Sequence, residues 1–153
     1  MQEAKPIERG ELVLDKNGRW LYKGEEITHP RLLAVLWRSL ERTDDGEYVV
    51  REGDEEIPVV VEDAPYVVET TREDDDGITL VLCDGTHERF DVQQFWISDD
   101  NIPYTRVKGG RFVARFSRAA YSQLFDKVIE EDGRYYLEVC GRRAEIKRGR
   151  PSG

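Results

Sequence analysis

Residues 111–139 read RFVARFSRAAYSQLFDKVIEEDGRYYLEV, and their order of features sets the fold expected of the chain. In Arg111-Phe112-Val113-Ala114-Arg115-Phe116, arginines alternate with apolar side chains as on a strand. Ser117 is a candidate N-cap, because its hydroxyl can accept from the first free N–H groups of a helix. Tyr121, Leu124, Phe125 and Val128 then stand at i, i+3, i+4 and i+7, which predicts one apolar helix face. Asp132-Gly133 is expected to stop that helix. Arg134-Tyr135-Tyr136-Leu137-Glu138-Val139 resumes as a strand, and Gly141 opens a turn into Ala144-Glu145-Ile146.

The same order occurs earlier. Glu11-Leu12-Val13-Leu14-Asp15, the Lys16-Asn17-Gly18 turn and Arg19-Trp20-Leu21-Tyr22-Lys23 predict a hairpin. Gly24-Glu25-Glu26-Ile27 reads as a loop and Thr28 as an N-cap, with Pro30 in the first helical turn. Leu33, Leu36, Trp37 and Leu40 share a helix face that Asp44-Asp45-Gly46 is expected to end. Strand patterns follow at residues 47–51 and 57–61. Turn, strand, helix and Gly stop match the later passage at offsets between 87 and 92, which reads as an internal repeat. Between the copies, residues 66–71, 78–82 and the neighbourhood of 89–92 look like meander strands. The expectation is an α+β protein of two small duplicated domains, 1–64 and 65–153. Each would be a curved, mostly antiparallel sheet with one covering helix.

The chain has 153 residues with 23 Lys+Arg against 32 Asp+Glu, a net charge of −9. Residues 1–103 carry 11 basic and 26 acidic side chains, whereas residues 104–153 carry 12 and 6. Two readings fit this split: the halves attract each other, or the basic half receives an anionic group. Duplex nucleic acid is not expected as a partner, because the acidic stretch would repel its phosphates. No apolar run approaches a membrane span, and the opening residues lack a signal-peptide core, so a cytoplasmic protein is expected. Two cysteines without a C-x-x-C and two histidines leave no zinc or disulfide framework, and no cofactor is expected.

Catalytic patterns are missing. No serine has a His and Asp at a known spacing, and no P-loop or G-x-G-x-x-G is present. The run Glu73-Asp74-Asp75-Asp76-Gly77 lacks the alternation of a calcium loop and reads as a solvated turn. Cys83 and Cys140 lie in apolar strand patterns, as buried inert thiols do.

Arg106, Arg115 and Arg118 crowd the second hairpin and the start of the second helix, where an anion would find guanidinium forks and helix N–H groups. Equally, they can pair with the acidic half. Tyr66 and Tyr104 each follow a proline, and rings at such corners can stack on a planar ligand. Asp63 sits before Ala64-Pro65, where it can close a turn or accept from a ligand hydroxyl.

Several motifs resemble the uncharacterised bacterial family DUF1285. They are Asp15-x-x-Gly18-x-Trp20-x-Tyr22-x-Gly24-x-x-Ile27, the run Asp44 to Tyr48, Val61-Glu62-Asp63-Ala64-Pro65-Tyr66, Pro103-Tyr104-x-x-Val107 and Arg115-x-x-Arg118-x-x-Tyr121. They span about residues 12–129; residues 83–102 and 135–146 depart from the family's pattern. The resemblance implies a duplicated core whose second domain is loosely pleckstrin-homology-like. It also implies a nucleotide-like ligand at the domain interface, a role in signalling, and no catalysis. By that resemblance Asp63, Tyr66, Tyr104, Arg115, Arg118 and Tyr121 are ligand-binding candidates; Arg106 joins them from charge and position. The expected function is a non-catalytic module for an anionic small molecule. The alternative is a protein-interaction module, meeting its partner at strand edges or the Gly24–Ile27 loop.

Overall fold

The computed structural model describes residues 7–149. The chain divides into two compact units between Pro65 and Tyr66, against an expected boundary one residue earlier.

The first unit contains β1 (Leu12–Leu14), β2 (Trp20–Tyr22), β3 (Glu25–Glu26), α1 (Pro30–Ser39), β4 (Leu40–Arg42), β5 (Tyr48–Glu52) and β6 (Glu55–Val61). They form one six-stranded sheet in the order β3-β2-β1-β6-β5-β4. The Asn17-Gly18 turn is held by Asp15, whose carboxylate accepts from the N–H groups of Asn17 and Arg19, both at 2.9 Å. It also accepts from Arg19 Nε at 3.1 Å. Leu12, Leu14, Trp20, Leu36, Val50 and Val59 are buried, and Trp20 meets Trp37 edge-on at 5.3 Å.

Helix α1 departs from expectation at both ends. Its N-cap is His29, whose Nδ1 accepts from Leu32 N–H at 3.5 Å, so Thr28 lies outside the helix. It stops at Ser39, because Leu40 turns extended to pair with Val50. Asp44-Asp45-Gly46 is therefore a hairpin turn joining β4 to β5. The expected Gly24–Ile27 loop contains β3, an edge strand bonded to β2.

The second unit begins with β7 (Tyr66–Asp74), β8 (Gly77–Leu82), β9 (His87–Arg89), a 3₁₀ turn at Val92–Gln94, β10 (Phe95–Ile97), β11 (Pro103–Val107) and β12 (Phe112–Phe116). Then come α2 (Arg118–Ser122), a 3₁₀ turn at Phe125–Lys127, β13 (Val128–Glu131), β14 (Arg134–Val139), β15 (Arg142–Glu145) and β16 (Lys147–Arg148). Seven strands pair in the order β16-β10-β11-β12-β7-β8-β9, and β13-β14-β15 form a separate meander. Phe90, Phe95 and Phe116 pack edge-to-face at 5.5–6.0 Å in the core.

The second helix is a correction. It spans five residues, not the run to Val128. Ser117 does cap it, accepting from Ala120 N–H at 3.0 Å. Leu124 is fully buried while Phe125 is 59% exposed, so the two do not share an inward face. Asp132 and Gly133 take φ of 53° and 78°, the geometry of a primed hairpin turn. They join β13 to β14 and do not end a helix. The β-branched Val128-Ile129 pair is thereby used in a strand.

Neither sheet is purely antiparallel: β1–β6, β7–β12 and β10–β16 are parallel pairs. The molecule is α+β and mostly sheet. No helix among the described residues is long and apolar enough to cross a membrane.

Asp15 is 7% exposed and fills three donors. Asp15→Ala should therefore lower the unfolding free energy by about 1–3 kcal/mol, read by urea denaturation. An unchanged midpoint would show that the turn closes without it.

Candidate functional site

Strand pairing decides which candidates meet. Trp96 lies opposite Tyr104, Tyr104 opposite Arg115, and Arg115 opposite Val67. Directly opposed residues share a face, so these four form a row across β10, β11, β12 and β7. Trp96 and Tyr104 stack with ring centroids at 5.5 Å and planes at 20°. Arg106, two residues along β11 from Tyr104, faces the same way and lies opposite Val113. Tyr104, Arg106 and Arg115 are each half-buried. The structure thus brings three of the seven candidates onto one face.

Tyr66 is on the other face. It pairs with Ala114, one residue from Arg115 in the register. Its ring is buried and packs edge-on against Phe112 at 5.3 Å. The proline corner does not display it, because β7 starts at Tyr66 itself. Burial, reinforced by the Asp84 charge, pushes its hydroxyl well above the ordinary tyrosine range.

Beside Tyr66 lies a network that sequence reasoning missed. Lys108 Nζ stands 5.2 Å from the Tyr66 ring centre. The same ammonium donates to Asp84 Oδ2 and Thr86 Oγ1, both at 2.7 Å. Lys108 N–H donates to the Glu88 carboxylate at 3.1 Å. Burial alone would raise the Asp84 pKa, but the bonds from Lys108 and Thr86 outweigh it and hold it below its ordinary value. Lys108 takes φ 57° ahead of Gly109 and Gly110, both also left-handed. That Gly-Gly pair was the one visible hint that the Lys108 backbone is unusual.

Arg118 and Tyr121 lie on α2, Arg118 exposed and Tyr121 edge-on to Phe125 at 5.1 Å. Five residues are too few for the helix-terminal anion site expected there. Instead α2 is fixed to β7. Ser117 Oγ donates to Glu69 O at 2.9 Å, and Gln123 Oε1 accepts from Thr71 N–H at 2.7 Å. Asp63 belongs to the first unit, where it is exposed just after β6.

The two thiols differ from expectation. Cys83 is half-buried, and burial pushes its pKa up to about 12. Cys140 is exposed, at a turn with φ 48°. Among the described residues no group of three His, Cys, Asp or Glu side chains is placed to hold a metal ion.

No family model matches the chain, and no curated protein does. Solved structures do. A DUF1285 family protein from Silicibacter pomeroyi DSS-3 has a TM-score of 0.74 at 19% identity, over 93% of this chain and 80% of that one. A DUF1285 family protein from Shewanella baltica OS155 has a TM-score of 0.63 at 23% identity, over 76% of this chain and 91% of that one. The fold is that of DUF1285 family proteins, the family whose motifs the sequence resembles. The first match extends beyond residues 12–129, so the fold continues through stretches where the motifs do not.

Lys108→Met would leave the Asp84 carboxylate, whose side chain is 7% exposed, without its cation. We expect a loss of about 2–4 kcal/mol at pH 7. The Asp84 pKa is depressed in the folded state, so this stabilisation is present above the unfolded value of 3.8 and lost as pH falls below it. Urea denaturation should show the wild-type advantage shrinking between about pH 5 and pH 3. A pH-independent difference would assign it to packing of the lysine stem.

Proposed function

We propose that this chain is a non-catalytic ligand-binding module of bacterial signalling that takes an anionic, nucleotide-like small molecule on its second unit. The observation that carries the reading is the row Trp96–Tyr104–Arg115 with Arg106 beside it. Tyr104, half-buried and backed by the buried Trp96 ring, offers a surface for a planar group. Guanidinium groups next to it offer forked donors for phosphate or carboxylate. Arg106 has no side-chain ion pair among the described residues, so its charge is available to a ligand.

The partner-protein alternative draws less support from the strand edges. The edge strands of the two larger sheets, β3, β4, β9 and β16, read Glu-Glu, Leu-Glu-Arg, His-Glu-Arg and Lys-Arg. Charged edges discourage addition of a foreign strand.

Duplication is part of the same proposal. A hairpin, a helix and a three-strand meander recur in order, as β1-β2, α1, β4-β5-β6 and as β11-β12, α2, β13-β14-β15. The pleckstrin-homology likeness rests more thinly, on the seven-stranded sheet alone.

A thermal-shift screen of the full chain against nucleotides, dinucleotides and other anionic metabolites tests the reading. A ligand at about 100 times its dissociation constant adds roughly 2.7 kcal/mol, a shift of a few degrees. Arg106→Ala should weaken that ligand about tenfold or more while leaving the unliganded melting point nearly unchanged. A flat screen would overturn the proposal in favour of a protein partner.

A further inference from the structure

We propose that a cleft in the second unit, away from the β10–β12 face, binds a small zwitterion with an apolar body, such as a free apolar amino acid or a dipeptide. The cleft has a volume of about 460 Å³, within the range of small-molecule sites. It lies between the β7–β8 turn and the β14–β15 turn. Arg89, Arg142, Asp75 and Asp76 line it with both signs of charge.

Its floor is apolar: Phe90, Val92 and Val139 are each under 10% exposed and face the same space. Arg89 is held in place. Its Nη1 donates to both Asp74 oxygens, at 3.2 and 3.4 Å, which leaves its other N–H groups for a ligand. Gly77 lies against it: a Cβ there would stand in ordinary contact with Arg89 Cδ and Nη1 at 3.5 Å, and it is the backbone φ of 145° that favours glycine. The Arg142 guanidinium has no ion pair or hydrogen-bond partner among the described residues.

Charge selects the occupant. The lining carries two positive and two negative side chains, so a multiply anionic ligand would meet repulsion from Asp75 and Asp76. A cation would meet it from Arg89 and Arg142. A neutral apolar ligand would strip water from four charges without replacing it. A carboxylate toward Arg142 and Arg89, an ammonium toward Asp75 and Asp76, and an apolar group on Phe90 satisfy all three parts at once.

The cleft carries its own reporter. Cys140 lies on its wall, its thiol donating to Asp75 O at 3.3 Å. Cys83, with its pKa pushed up to about 12, stays silent toward thiol reagents near neutral pH. The experiment is iodoacetamide alkylation of Cys140 in the full chain, followed by mass spectrometry. L-phenylalanine, L-leucine and leucyl-phenylalanine are the probes.

At least one probe should slow alkylation saturably. Phenylalanine amide and N-acetyl-phenylalanine, each lacking one charge, should protect about tenfold more weakly than phenylalanine. Arg142→Gln should abolish the preference for phenylalanine over its amide. Asp76→Asn should abolish the preference over the N-acetyl derivative. Both positions are exposed, so neither change should move the melting point by more than a degree or two. N-acetyl-phenylalanine protecting as well as phenylalanine would reduce the cleft to a carboxylate site and overturn the proposal. Absence of protection by all three probes would overturn it as well. Arg106→Ala should leave protection intact, which separates this cleft from the face proposed above.

Discussion

Each of the two larger sheets depends on a parallel seam at its middle. In the first unit, Val13 and Leu14 of β1 lie beside Val60 and Val61 of β6, and Glu62 N–H donates to Leu14 O at 2.9 Å. In the second, Ala114, Arg115 and Phe116 of β12 lie beside Tyr66, Val67 and Val68 of β7, and Ser117 N–H donates to Val68 O at 2.9 Å. On either side of each seam adjacent strands are joined mostly by antiparallel pairing. A parallel pair cannot be closed by a tight turn and needs a long crossover. In the first unit that crossover carries α1.

The second seam also sets the candidate face. It places Arg115 beside Val67 and thus in line with Tyr104 and Trp96. A shift of one residue would exchange Arg115 for Ala114 and bring Tyr66 into the row. The same strand β7 is irregular between Val68 and Thr70. There α2 is attached, through Ser117 to Glu69 and Gln123 to Thr71. Backbone pairing, helix anchoring and side-chain direction therefore converge on a few residues of β7.

Charge is used differently in different places. Lys108 and Asp84 form a shielded pair whose ammonium also serves Thr86 and the Tyr66 ring. That arrangement holds the β11–β12 turn, where three consecutive residues have positive φ. Around the β7–β8 turn, Asp74 fixes Arg89 while Arg142 has no ion pair among the described residues. An even scatter of surface charge would not produce that contrast.

Local chemistry alone decided much of the chain. Gly18 and the Asp132-Gly133 pair turn because their backbones take positive φ, Ser117 caps, and residues 134–139 form a strand as their pattern predicts. The family resemblance was legible too, since its motifs sit largely in such turns and corners. Tertiary structure decided the rest. Amphipathic spacing at Tyr121, Leu124, Phe125 and Val128 could not reveal that Val128 pairs with Leu137 in a strand and does not complete a third helical turn. Tyr66, Val67 and Val68 are all buried, so no polar alternation announced which faces the core and which faces Arg115. The lining of the second unit's cleft joins residues some sixty positions apart. Sequence fixes the periodicity and the turns because those are interactions over a few residues. Faces, seams and clefts are set by pairings between distant strands, which leave no local signal.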